Sequence, residues 1–355
     1  MKALPLRSAV CQYGLFFIAI LVVLVFTACG TEKAVIVDPV IELGPEPVPS
    51  PVVVQPEEPF QPLIEMISIS GGSFQMGSPV RREFQPRENP VHEVTVRDFA
   101  LGKYAVTLGQ YFEVTGELPN RFHDNPEDDG PDGWMNLPVE EINWYDALLF
   151  CNKLSIIEGL DPVYRINGSA DPDDWVRLLL DTRVINSLPL PTRRFPAWDE
   201  AELIIGANGY RLPTEAEWEF AARGGRNSRG YTYAGTDDRV PDKVAWYYDN
   251  SGKKAHEVGK KEPNELGLYD MSGNVFEWCW DWFGAQYYGS NNDNAQDPIG
   301  PSIGETRRLP SADQHRVLRG GSHGVERDFA RVTYRQYNNP QSRFLGYGFR
   351  VARWE

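Results

Sequence analysis

The residues best suited to chemistry crowd into one stretch near the C-terminal end. From Arg319 the order is RGGSHGVERDFARVTYRQYNNPQSRFLGYGFRVARWE. Arg319-Gly320-Gly321-Ser322, Arg331, Arg335, Pro340, Arg343 and Gly348-Phe349-Arg350 form a frame. Between them stand His323, Val325, Asp328, Tyr334, Gln336, Tyr337, Asn338, Asn339, Gln341, Ser342, Leu345 and Tyr347. No hydrophobic period runs through this set, and no titratable pair sits at catalytic spacing. The composition is that of a binding surface, in which tyrosine supplies rigid contact area and Asn, Ser and Gly supply adaptable hydrogen bonds. The interposed residues are therefore the expected ligand contacts. The arginines, with planar forks that match carbonyls and carboxylates, are the expected scaffold.

Elsewhere catalytic signals are thin. His92, His123, His256, His315 and His323 are scattered, with no His-x3-His pair. Glu215, Glu217 and Glu219 are explained by capping and by a helix surface rather than by a carboxylate dyad. Of the four cysteines, Cys11 and Cys29 lie in the N-terminal segment, which leaves Cys151 and Cys279. An exported protein allows them to pair, and buried free thiols serve equally well. The Asn/Asp-rich run 290–297 lacks the spaced ligands of an EF-hand and reads as a solvated loop. The net charge of −15 argues against nucleic acid, which needs basic faces.

Several elements must position the tail. Residues 66–104 read as strands, with Val94 and Val96 alternating with polar neighbours and Gly71-Gly72 marking a turn. Asn143 caps an expected helix whose apolar stripe runs through Trp144, Leu148, Cys151 and Leu154, ending near Gly159. Thr214-Glu215-Ala216-Glu217 is a capping box that opens a second helix, closed by Gly224-Gly225. Between these helices, residues 161–207 read as an insertion. The rest is short strands and long loops, so the expected class is an irregular α+β fold with two main helices.

The N-terminal residues have a different character. Lys2 and Arg7 precede an apolar run from Leu15 to Phe26, short for a bilayer span of about 20 residues. It ends in Phe26-Thr27-Ala28-Cys29, which resembles a bacterial lipobox although Phe26 stands where Leu is usual. Residues 1–29 are thus expected to be a lipoprotein signal peptide, with Cys29 lipidated. Residues 30–62, rich in Pro, Glu and Val, favour extended polyproline conformations and read as a stalk. Residues 63–355, about 290 of them, form the expected globular domain.

Several separate segments then match one family in order: GGSFQMGS at 71–78, PVHEVTVRDF at 90–99, GYRLPTEAEWEFAARGG at 209–225, GLYDMSGNVFEWCWDW at 267–282, then LRGGS and GFRVAR. Together they resemble the formylglycine-generating-enzyme/sulfatase-modifying domain, a C-type-lectin-like fold. The enzymes of that family hold copper with two cysteines a few residues after RGGS. Here the matching stretch, His323 to Arg331, contains none, and soft Cu(I) needs thiolates, so no copper is expected. The iron-dependent sulfoxide synthases of the family use a His-rich helical domain that has no counterpart here. The tail is most similar to the variable proteins of diversity-generating retroelements, whose Asn-rich C-terminal segments are rewritten by adenine-directed mutagenesis. The resemblance implies a monomeric, surface-displayed lipoprotein on the bacterial outer membrane or cell surface that binds a protein or glycan. The alternative is a copper-dependent oxidoreductase acting on cysteine or thiol substrates. Many relatives also bind structural Ca2+ beside the GNxxEW motif, which implies Asn274, Val275 and Glu277 as ligands, with Asn264 from a preceding loop. The other reading has Asn274 capping a turn and Glu277 paired with an arginine, and both stand at this point. Trp144, Trp218, Trp278, Trp280 and Trp282 fall in the family's packing motifs, which favours core over sugar binding.

Overall fold

Self-closing caps set where the helices begin. Asn143 accepts from the Asp146 amide while the Asp146 carboxylate accepts from the Asn143 amide. Thr214 and Glu217 close a second box in the same way, and Thr107 and Gln110 a third. Each box satisfies two amides that a helix start otherwise leaves unpaired. The computed structural model describes residues 61–79, 86–119, 134–175, 196–285, 287, 295–302 and 314–355. The signal segment, Cys29, the stalk up to residue 60, His123 and most of the 290–297 run lie outside the described residues.

Among the described residues the helices are α1 (Leu108–Thr115), α2 (Trp144–Ile157), the single turn α3 (Pro196–Asp199) and α4 (Glu215–Ala222). The sequence reading placed α2 and α4 and missed α1. α1 packs on α2 through the stacked rings of Tyr111 and Phe150, 5.7 Å apart. Twelve strands among the described residues form small sheets. Strand β1 (Met66–Ile69) and β12 (Ala352–Trp354) flank β4 (Phe99–Gly102), all antiparallel. Strand β2 (Gly72–Met76) pairs with β3 (His92–Val96), which pairs in parallel with β8 (Ala295–Gln296). The sheet that carries the tail has the order β10 (Gln336–Asn338), β9 (Arg316–Arg319), β7 (Phe276–Trp282), β11 (Tyr347–Gly348). The tail thus supplies both edges of this sheet, and the loop from Asn339 to Gly346 joins one edge to the other.

The segment 161–207 is stitched to the core at both described ends. Strand β5 (Tyr164–Arg165) pairs with β6 (Glu202–Leu203). Trp175 and Trp198 are fully buried, edge to face at 5.5 Å, and Tyr145 of α2 donates to Asp199 at 2.6 Å. All of strand β7 is buried. The five motif tryptophans, at most 8 % exposed, lie in the core. Two of them lock α2 to β7: Trp278 Nε1 donates to the Ile142 carbonyl at 2.8 Å, and Trp144 Nε1 to the Cys279 carbonyl at 3.0 Å.

Candidate functional site

The tail is pinned from below by arginines. Arg331 forks onto Glu88 with two bonds of 2.7 Å. Arg335 forks onto Glu215, the first residue of α4, with two of 2.6 Å. Arg350 forks onto Glu277 of β7 with two of 2.7 Å and also donates to the carbonyls of Gly102 and Tyr269. Arg319 donates to Glu219 and to the carbonyls of Val332 and Tyr334. These four guanidiniums are at most 3 % exposed. Planar forks of this kind fix direction as well as distance. Arg343, partly exposed, forks onto Asp146 in the capping turn of α2. The Trp144 amide donates to the Pro340 carbonyl at 2.9 Å, so the 339–346 loop rests on the N-terminal end of α2.

Most of the expected contact residues lie above this frame. Gln336, Tyr337, Asn338, Asn339, Gln341, Ser342, Tyr347 and Val325 are half-buried, and Asp328 and Leu345 are exposed. Two residues differ from the expectation. Tyr334 is 7 % exposed, its ring edge-on to Phe329 at 5.0 Å, and burial pushes its hydroxyl up to about 12. His323 is 4 % exposed because its Nε2 lies 3.0 Å from Glu140, whose carboxylate also accepts from the Gly346 amide at 2.7 Å. Both residues shape the surface from beneath rather than present themselves on it. Gly346, at φ 79°, must be small as well as left-handed, since a Cβ there would stand 2.9 Å from the Ser322 hydroxyl. Tyr337 is a tethered ring, stacked on Phe283 at 4.2 Å with its hydroxyl accepting from Arg87 at 2.7 Å.

The sequence reading missed Phe344, which is 54 % exposed beside Leu345 at 55 %. It also missed Tyr248, 43 % exposed, whose amide donates to the Val325 carbonyl at 2.8 Å. Phe344 carried a signal, being an apolar side chain between frame residues with no strand or helix period to bury it. Tyr248 carried none, because a remote loop delivers it.

The side-chain oxygens expected to hold calcium are engaged within the chain. Asn274, at φ 63°, accepts the His256 amide and donates to the His256 carbonyl, each at 3.0 Å, and so clamps a turn. Asn264 spends its oxygen on the amides of Leu266 and Leu268. Both oxygens of Glu277 face Arg350, and one also accepts from Trp218 at 2.7 Å. Val275 has only backbone oxygen to offer. The geometry is the cap-and-arginine arrangement. Among the described residues no group of three or more His, Cys, Asp or Glu is placed to hold a metal. Cys151 and Cys279 are free and buried, and burial raises both thiols, the reverse of what a thiolate ligand needs.

A fold of short sheets around α2 and α4, closed by an arginine-pinned tail, defines the class. The sulfatase-modifying factor enzyme 1-like domain matches residues 52–354, and the chain belongs to that family, with its C-type-lectin-like α+β fold. The chain is 37 % identical to the solved variable protein 1 of Treponema denticola, with a TM-score of 0.66 over 82 % of this chain and 95 % of that one. It is 36 % identical to chaperone protein LppX of Paenibacillus barcinonensis over 61 % of this chain and 71 % of that protein. It is 30 % identical to a formylglycine-generating enzyme of Streptomyces coelicolor over 81 % of this chain and 88 % of the enzyme.

Proposed function

We propose that this chain is a ligand-binding protein of the cell surface, held by a lipid on Cys29 and a polyproline stalk, with its recognition site in the tail. The observation that carries the reading is the split within that tail. Its arginines are buried and forked onto carboxylates of earlier elements, while most residues between them lie at the surface. Sequence can therefore change at the surface positions without disturbing the frame, as a diversified site requires. The likeness to a variable protein supports this reading.

The orientation of α2 supports it as well. The Leu63 amide donates to Glu158, at the C-terminal end of this 14-residue helix, while the tail loop rests on its N-terminal end. Leu63 and the candidate site thus lie at opposite ends of a helix about 21 Å long.

The competing activity, oxidation of a cysteine to formylglycine, is tested directly. Purified protein with copper, oxygen and a Cys-x-Pro-x-Arg peptide is expected to give no formylglycine above a no-protein control, and product above that control would overturn the binding-protein reading. The anchor has its own test. Cys29→Ala is expected to leave the protein soluble, since burial of acyl chains, at about 0.8 kcal/mol per CH2, is what would hold it to lipid. Unchanged detergent partitioning would mean a different anchor.

A further inference from the structure

The chain holds two Asn-Gly pairs, Asn167-Gly168 and Asn208-Gly209, and the fold treats them differently. An Asn-Gly pair carries both halves of a reaction. The glycine nitrogen is a nucleophile that no Cβ shields, and the asparagine side-chain carbonyl is an electrophile within reach of a backbone rotation. Whether they meet depends on what else holds them.

Both halves are held at Asn208-Gly209. The Asn208 Oδ1 accepts from the Asp161 amide at 2.8 Å, and the Gly209 amide donates to the Asp161 carbonyl at 3.0 Å. The Asn208 carbonyl also accepts from Arg353 at 2.9 Å. Gly209 is buried, and a Cβ there would stand 2.4 Å from the Asp161 carbonyl oxygen. Turning this pair into a reactive geometry breaks the two bonds to Asp161 together.

Asn167-Gly168 is the tip of a two-residue hairpin just beyond β5. The Ile166 amide donates to the Ser169 carbonyl at 2.9 Å, and the Ser169 amide to the Ile166 carbonyl at 3.1 Å. Asn167 at φ 49° and Gly168 at φ 83° are both left-handed, as a type I′ turn requires. Both are exposed, and a Cβ on Gly168 would meet nothing within 4 Å. Among the described residues neither the Asn167 side chain nor the Gly168 amide has a hydrogen-bond partner. A turn tip with so few contacts opens locally at little cost. Opening frees the Asn167 backbone to rotate and bring the Gly168 nitrogen onto its side-chain carbonyl carbon.

We propose that Asn167 is a site of spontaneous deamidation, with water as the co-reactant. The Gly168 nitrogen gives up its proton and bonds to Cγ of Asn167, and the side-chain amide leaves as ammonia. Water then adds to one of the two carbonyls of the resulting succinimide and breaks its C–N bond, which leaves aspartate or isoaspartate. Neither step changes an oxidation state. Either product adds a negative charge to a turn followed by Asp171, Asp173 and Asp174. Isoaspartate also adds a methylene to the backbone between the two hairpin bonds. That change falls on the seat of Trp175, whose Nε1 donates to the Ser169 carbonyl at 2.8 Å.

The test incubates the folded protein at mildly alkaline pH beside the same protein unfolded in guanidinium chloride. Peptide mass spectrometry then reads the conversion of amide to acid at residues 167 and 208. In the folded protein Asn167 is expected to convert at least about tenfold faster than Asn208, the factor that two ordinary hydrogen bonds represent. In the unfolded protein the two are expected to convert alike. Asn167→Gln, whose longer side chain disfavours the five-membered ring, is expected to remove the product at 167. Equal conversion of the two sites in the folded protein would overturn the proposal. So would an Asn167 that converts in guanidinium chloride and stays intact in the folded protein, since the hairpin would then be its shield.

Discussion

Arg335 and Phe344 belong to the same tail and obey different physics. Arg335 is 2 % exposed and forks onto Glu215 while also donating to the Arg87 carbonyl, whereas Phe344 is more than half exposed and touches the fold through Tyr347. One is an ion pair taken out of water, whose attraction has to offset a large desolvation cost. The other is apolar surface left in water, whose burial would be worth about 25 cal/mol per Å2. The contrast teaches that this fold places its specificity of structure in buried charge and leaves apolar surface exposed at the tip of the tail.

The comparison breaks most visibly if one partner of a fork is removed. Arg335→Ala leaves Glu215 buried with only Arg319 near it, at 3.7 Å and without the fork, and the expected loss is about 3–5 kcal/mol in a denaturant titration. Replacing both Arg335 and Glu215 by apolar residues of similar size is expected to recover much of that, since a well-packed apolar pair often matches a buried ion pair. A loss below about 1 kcal/mol in the single variant would place the pair in solvent.

Asp270 sharpens the same point from the opposite side, as a buried carboxylate that lacks a fork. Burial pushes it up to about 6, although the Gly259 amide donates to it at 2.8 Å. A carboxyl whose folded value is raised holds its proton more tightly in the native state. Stability therefore falls as pH climbs from about 4 to about 6, and the cost is complete at pH 7, on the order of 3 kcal/mol. Asp270→Asn keeps the acceptor for Gly259 and suits a left-handed residue at φ 56°. It is expected to stabilise at pH 7 by up to about that amount and to be neutral near pH 4. An advantage of the same size at both pH values would mean that ionisation is not the cause.

A smaller effect is expected at the helix starts. Thr107→Ala removes one half of the α1 capping box and is expected to cost about 1 kcal/mol. A chemical-denaturation midpoint shared with the wild type would show that the loop before α1, not the cap, sets that helix.

These cases also show how far sequence reading reached. Asn143 and Thr214 announced α2 and α4 because each cap precedes a long buried stripe. Thr107-x-x-Gln110 carries the same signature, but α1, no longer than α4, exposes Phe112 where α4 is buried throughout, so little periodicity follows it. The arginines of the frame were legible as scaffold from their chemistry. Their partners were not, because Glu88, Glu215 and Glu277 come from remote segments that only the folded topology brings beneath the tail. The same limit hid the inward turn of Tyr334. Residue type separates frame from contact, yet whether a tyrosine points in or out depends on Phe276 and Phe329 lying next to it. Trp175 and Trp198 meet across β5 and β6, pairs too short to leave an alternating pattern.

The central claim is that the tail separates stability from recognition. Its most direct test is the melting curve of one domain carrying Asn339→Ser, Gln341→Ser, Phe344→Ser and Leu345→Ser together, run beside Arg335→Ala. Surface changes away from caps, cores and buried pairs each stay within about 0.5 kcal/mol. The fourfold variant is therefore predicted to melt within a few degrees of the wild type, about the shift that 1 kcal/mol produces in a domain of this size, while Arg335→Ala melts well below it. A fourfold variant that loses as much as Arg335→Ala would contradict the account.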